Sequence, residues 1–207
     1  MTGQRLLVLD TSGAACSIAL FDGAHLLAER HDLLGRGHAE RIIPAIADLP
    51  EGGRADEIRV GCGPGSFTGL RVGIAAARAL ALGWGVPVLG FSSLALIAAG
   101  AAADGPLLIA TEGGHGELFV QPFDGATCAA LAPLQSLAPD MAAHAHDMTR
   151  VAGSGAARLI AARGSGVLLS ADEPRARDAL RLARSVLTDI VSPIYGRAPD
   201  AKPAPAR

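Results

Sequence analysis

The sequence predicts an α/β protein in two parts. A mixed sheet flanked by helices spans residues 1–100, a smaller α/β unit spans 104–197, and 198–207 form a flexible Pro/Ala-rich tail. Three observations predict this. Apolar runs that stop at turn residues recur in the order β-β-β-α-β-α-β-α over the first hundred positions, as expected for helices packed on a mixed sheet. Asp104-Gly105-Pro106 breaks that series, and new strand-like runs follow. The chain has 207 residues, 50% hydrophobic and 18% charged, which is enough apolar material for a core and too much for disorder.

Leu6-Leu7-Val8-Leu9 is a buried strand stopped by Asp10-Thr11-Ser12-Gly13. Residues 16–21 form a second strand, Asp22-Gly23 a hairpin turn, and Leu26-Leu27-Ala28 a third strand. His38, Ile42, Ala45, Ile46 and Leu49 recur at helical spacing until Pro50. A strand over 58–62 runs into the Gly-rich loop 63–69. An Ala-rich helix then spans 70–84, a strand 86–90, and a helix capped by Ser92 or Ser93 continues to 99. Strands follow at 107–110 and 118–123, joined by Thr111-Glu112-Gly113-Gly114-His115-Gly116. Residues 126–145 carry no clear period. Residues 150–155 read as a short strand ending in a turn. Glu173-Pro174 opens a helix whose apolar face is Ala176, Ala179, Leu180, Ala183, Val186, Leu187 and Ile190. No short-period repeat is visible.

Composition excludes several function classes. The formal net charge is −2, and neither half carries a basic excess that could hold nucleic acid by charge. With 3% aromatic residues a base-stacking platform is not expected. Lys202 is the one lysine among 18 cationic residues, so P-loop, Schiff-base and Ser-x-x-Lys chemistry have no interior lysine to use. Cys16, Cys62 and Cys128 are odd in number and far apart, which disfavours both a disulfide framework and a zinc ribbon. The opening residues lack the apolar stretch of a leader, and 91–110 is too interrupted to span a membrane. A soluble, cytoplasmic protein is expected.

The densest chemical signal is Gly63-Pro64-Gly65-Ser66-Phe67-Thr68-Gly69-Leu70-Arg71, between a strand and a helix. Glycine permits close backbone approach, Ser66 and Thr68 are natural caps, and a helix start attracts anions. A tight turn without a ligand explains the same glycines equally well. The loop is not a dinucleotide fingerprint, because Thr68 stands where a third glycine is needed. It is not a P-loop or a Gly-x-Ser-x-Gly elbow either. Asp10 and Thr11, at the end of a strand, could hold a metal–phosphate or cap a turn. Asp10, Thr11, Gly63, Gly65, Ser66 and Thr68 are therefore the ligand-loop candidates. No metal site is expected: His38 has Ile42, not His, one turn later, and His144 and His146 point apart. Glu112 and Glu117 fall in a cleft-like loop without proving acid–base work. No catalytic constellation is visible. The helix after Arg71 is apolar nearly all round, which implies burial on two sides.

These motifs together resemble the TsaB family, also called YeaZ, the dimerisation partner in bacterial tRNA threonylcarbamoyladenosine synthesis. The likeness runs through Leu6 to Ser12, Cys16-Ser17-Ile18-Ala19-Leu20, His38-Ala39-Glu40, the run from Gly63 to Gly73, and Phe91-Ser92-Ser93-Leu94. It is strong over residues 5–98 and weaker beyond. There, Glu112, Gly113 and Gly114 replace the family's Asp-Ala-Arg before Gly116-Glu117-Leu118-Phe119. The resemblance implies an actin-like ATPase architecture of two ribonuclease H-like lobes, the second one reduced here. It implies a non-catalytic subunit that pairs with the catalytic homologue TsaD, which modifies adenosine 37 of tRNA, and works with the ATPase TsaE. The partner interface would comprise His38, Ile42, Ile46, Arg71, Val72, Ala75, Ala76 and Ala79. ATP or ADP would belong to the complex, with no cofactor held tightly by this chain, and tRNA would be met through the complex. Two alternatives stay open: a stand-alone phosphotransferase or peptidase of the same fold using Asp10, and a self-associating homodimer.

Overall fold

The computed structural model describes residues 3–197; the tail expected over 198–207 lies outside the described residues. The first sheet is built from β1 (Arg5–Asp10), β2 (Ala15–Asp22), β3 (His25–Leu33), β4 (Glu57–Gly61) and β5 (Val88–Phe91), in the order β3-β2-β1-β4-β5. β1 is antiparallel to β2 and parallel to β4. α1 (His38–Ala47) follows β3, α2 (Phe67–Trp84) follows β4, and α3 (Ser93–Ala101) follows β5. Ser66 caps α2 by accepting the Gly69 N–H at 3.2 Å, and Gly85 ends it in the left-handed conformation. Thr68, the other expected cap, lies inside the first turn.

The second sheet comprises β6 (Pro106–Glu112), β7 (Leu118–Asp124), β8 (Gln135–Leu137), β9 (Arg150–Ala152) and β10 (Val167–Leu168). α4 (Pro139–Ala145) follows β8 and α5 (Ala156–Arg163) follows β9. Read from β8, the order β8-β7-β6-β9-β10 repeats that of the first sheet, with the same pairing directions. The second lobe is thus reduced in element length and not in strand number. Its helices have 7 and 8 residues where α1 and α2 have 10 and 18.

Strand alternation sorts the core into layers. On β1, Leu7 and Leu9 face α1 and α2 with Ile18, Leu20, Ile58 and Val60. Leu6 and Val8 point the other way, joining α3 and Leu107, Ile109 and Phe123 of the second sheet in one cluster. Leu108 and Ala110 face Ala142, Ala156 and Leu159 on the far side. The order of layers is therefore α1 and α2, sheet, α3, sheet, α4 and α5. α3 is apolar on every side because both of its faces are covered. Burial of Leu94, Leu96 and Ile97 contributes roughly 1.5–3 kcal/mol each.

The helix expected from Glu173-Pro174 does not form. The chain there makes two 3-10 turns, Ala176–Arg181 and Arg184–Val186, and then runs extended. The segment crosses back from the second lobe to the first. Ala176 N–H donates to Ser17 Oγ at 2.8 Å, and Thr188 and Gly90 exchange backbone bonds of 2.9 and 2.8 Å at the edge of β5. An α-helix running to Ile190 would commit the Thr188 N–H to its own Arg184 carbonyl, whereas here that N–H bonds Gly90 across the edge of β5. Residues 176–195, counted with the second lobe by the division at 104, therefore pack on the first.

Candidate functional site

A cavity of about 1030 Å³ opens between the two repeats. Equivalent positions wall it from both sides. The β1–β2 turn gives Ser12, Gly13 and Ala14, and the β6–β7 turn gives Glu112, Gly113, Gly114 and His115. The loop after β4 gives Gly65 and Ser66, and the loop after β9 gives Ser154. The returning C-terminal segment adds Glu173, Tyr195, Gly196 and Arg197.

Asp10 lies beneath this cavity and takes no part in its wall. Its Oδ1 accepts from Ser12 N at 2.8 Å and Ser12 Oγ at 2.7 Å; its Oδ2 accepts from Ser93 Oγ at 2.7 Å. Ser93 Oγ in turn accepts Gly63 N–H at 3.2 Å. Burial pushes the Asp10 carboxyl up in pKa, while the bonds from Ser93 and Ser12 oppose that. A Cβ on Gly61 would collide with Asp10 Oδ2, so the carboxylate fills the space that only a glycine leaves. Thr11 is equally enclosed, donating to Gly69 O at 2.7 Å. Ser66 N–H donates to Ser12 O at 2.7 Å and clamps the loop to the turn.

The six ligand-loop candidates therefore separate. Gly65 and Ser66 reach the cavity. Asp10, Thr11 and Gly63 are buried structural groups, and Thr68 is exposed outside the lining. The reason is that Asp10 and Ser93 meet each other across 83 residues of chain, and the bonds they form there seal the site from below. Of the two expected caps of α3, Ser92 holds the N-cap position without a side-chain cap bond, and Ser93 is the first helical residue, its hydroxyl turned to Asp10.

Several lining residues escaped the sequence reading. Glu173 lays its half-buried carboxylate on the β1–β2 turn, packed against Gly13. Burial first, then the like charges of Asp10 and Asp172, push its pKa above the ordinary carboxylate range. Arg71 rests 3.5 Å over the Phe67 ring and donates to Tyr195 Oη from Nε (3.3 Å) and Nη2 (3.0 Å). The Phe67 and Tyr195 rings stack with centroids 5.6 Å apart. Glu112 pairs with Arg158 at 3.0 Å. Glu117, expected beside it, instead accepts from Ser136 Oγ at 2.6 Å. Tyr195 stands 124 residues from Arg71, so no local signal could have joined them.

The expected partner-facing residues also divide. His38, Ile42, Ile46 and Ala76 are buried in the chain's own core. Arg71, Ala75 and Ala79 are exposed and Val72 is half-buried. Helical geometry decides this, since α1 and α2 pack together on the sheet and must turn those four residues inward. The outer face instead carries Ile43 of α1 and, at 87% exposure, Leu82 of α2. Among the described residues no three His, Cys, Asp or Glu side chains gather as a metal site would need, and no helix is long and apolar enough to cross a membrane.

A family model described as TsaD, tRNA N6-adenosine threonylcarbamoyltransferase, matches residues 32–154, more than half of the chain. The tRNA threonylcarbamoyladenosine biosynthesis protein TsaB of Escherichia coli K12 is 41% identical over 103 residues, covering 47% of this chain and 44% of that protein. The matched stretch thus spans less than half the length of such curated relatives. YeaZ from Pseudomonas aeruginosa superposes with a TM-score of 0.78 at 30% identity, over 93% of this chain and 99% of that one. A Pseudomonas aeruginosa structure described as similar to peptidase YEAZ gives 0.79 at 30% identity, over 94% and 100%. The duplicated sheet order and these whole-length matches establish a two-lobed, ribonuclease H-like architecture of the actin-like ATPase kind. The chain belongs to the TsaB/YeaZ family.

Proposed function

We propose that this chain is the non-catalytic subunit of the machinery that places N6-threonylcarbamoyl on tRNA adenosine, and that it pairs with and activates a TsaD-type catalytic subunit. The observation that carries the reading is the uncovered apolar face of α1 and α2, with Leu82, Ala79, Ala75 and Ile43 side by side with solvent. Ala75, Ala79 and Leu82 recur at i, i+4 and i+7, so they form one uncovered apolar stripe along α2, and a contiguous stripe of this kind fits a protein contact. Membership of the TsaB/YeaZ family and the TsaD-type family model support a TsaD homologue as the partner, with tRNA and the ATPase TsaE met through the assembled complex.

The test is co-purification of the full chain with a TsaD homologue, together with tRNA modification in reconstitution. Leu82→Glu and Ala79→Glu should each weaken pairing by about tenfold or more and lower modification in parallel. Unchanged pairing would overturn the interface. Light scattering without the partner separates a homodimer held by the same face.

The word peptidase in the description of one solved relative favours a second reading, a stand-alone enzyme. Asp10 is poorly placed to serve it, since both carboxylate oxygens are already bonded inside the fold. Hydrolytic or ATP turnover by the isolated chain, lost in Asp10→Ala, would support that reading instead.

A further inference from the structure

The interlobe cavity has the chemistry of an anion site. Six glycines on five segments, among them Gly13 and Gly65, bring backbone to its surface, and Arg71, His115 and Arg197 stand in its lining. Yet the group seated on the β1–β2 turn belongs to the chain itself. Glu173 arrives on the segment that returns from the second lobe and lines the cavity beside Ser12, Gly13 and Ala14. Its carboxylate packs so closely over Gly13 that a Cβ there would collide with Oε2. Among the described residues no cation forms an ion pair with it, and the neighbouring acids Asp10 and Asp172 share its sign. A lone carboxylate persists in such a place only because the turn amide and the surrounding fold hold it.

We propose that Glu173 is an internal anion that occupies the Ser12–Gly13–Ala14 turn and keeps polyphosphate-bearing ligands out of the interlobe cavity. Its charge repels an incoming phosphate, and its oxygens fill the position that the phosphate would take. The turn is in this sense filled in cis, and a phosphate reaches it only by moving one side chain. This stands apart from the pairing proposed above.

The experiment titrates inorganic tripolyphosphate into the full chain by calorimetry, for the parent protein, Glu173→Ala and Gly13→Ala. The first variant removes the carboxylate. The second leaves it in the sequence but evicts it from the turn, since the new methyl takes the space of Oε2. Both variants should bind tripolyphosphate at least about tenfold more tightly than the parent. Thermal melting identifies which variants are folded, and either folded variant alone decides the matter. Parent binding as tight as the variants, or folded variants with no gain, would overturn the proposal. A glutamate that merely capped the Ala14 N–H would give that second result. No partner or tRNA enters the measurement, so its failure and that of the pairing experiment are separable.

Discussion

Two carboxylates beside the same turn, Asp10 next to it in sequence and Glu173 brought there by the fold, have opposite lives. Asp10 is enclosed and saturated by hydroxyl and amide donors, so it works as a rivet between β1, α3 and the Gly-rich loop. Glu173 is half-buried among like-charged neighbours, opposed only by the nearby Ala14 amide. Its raised pKa has a thermodynamic consequence. Between the ordinary carboxylate value and the raised one, the folded chain binds more protons than the unfolded chain, so stability falls as pH rises through that window and stays lower above it. Glu173→Gln removes this contribution. Urea unfolding from about pH 4 to about pH 7 should show a flatter profile for the variant and a gain over the parent at the upper end. Asp10 and Asp178, also raised by burial, leave a residual slope of the same sign. The lowered Glu51, Asp124, His31 and His146 act in the opposite sense in both proteins, so the difference between parent and variant is the readout, and a Glu173→Gln profile parallel to the parent's would contradict the assignment.

At the scale of the element, α2 carries three tasks on three faces. Leu70, Ile74, Ala77 and Ala81 are buried against the chain's own fold, the first turn walls the cavity, and the outer face is left to solvent. The distinction predicts opposite outcomes for one substitution type. Ala76→Glu places a charge in a core position that is 9% exposed and should cost several kcal/mol, on the order of 3 or more. Leu82→Glu should alter monomer stability by no more than about 0.5 kcal/mol. Chemical denaturation of the isolated chain measures both, and a similar loss in each would show that the two faces are not separated as described. The difference also makes Leu82, not Ala76, the informative probe of pairing.

At the scale of the whole molecule, α3 and the returning segment join two copies of one topology. The segment bonds across the first lobe through Arg78 Nη2 to Val191 O at 2.6 Å and Ile194 N to Cys62 O at 2.7 Å, before Tyr195 meets Arg71. Opening any layer therefore disturbs the next, and local access to the interior should be rare. The three thiols report on this. Cys16, Cys62 and Cys128 are all buried, and burial pushes Cys16 and Cys62 up to about 11. In native buffer all three should react with a thiol reagent only at the rate of unfolding, and all three should become accessible together in denaturant. Fast reaction of one thiol in the native protein would reveal a local opening that this layering does not allow.

The sequence by itself determined the first lobe. Its strands are apolar runs stopped by turn residues, its helices are capped or stopped by Ser66, Gly85 and Pro50, and the Gly63 to Gly73 run names its family; all of these are short-range signals. The second lobe was half legible: β6, β7 and β9 stood out, whereas β8, α4, α5 and β10 were too short to build a period. Only the tertiary structure decided that the second sheet repeats the first, that residues 176–195 unwind to reach β5, and that Asp10 and Thr11 are sealed while Glu173 and Tyr195 enter the cavity. The physical reason is distance along the chain. A pattern of three or four residues fixes a helix or a strand, but a bond spanning 83, 124 or 159 residues exists only once the layers have closed.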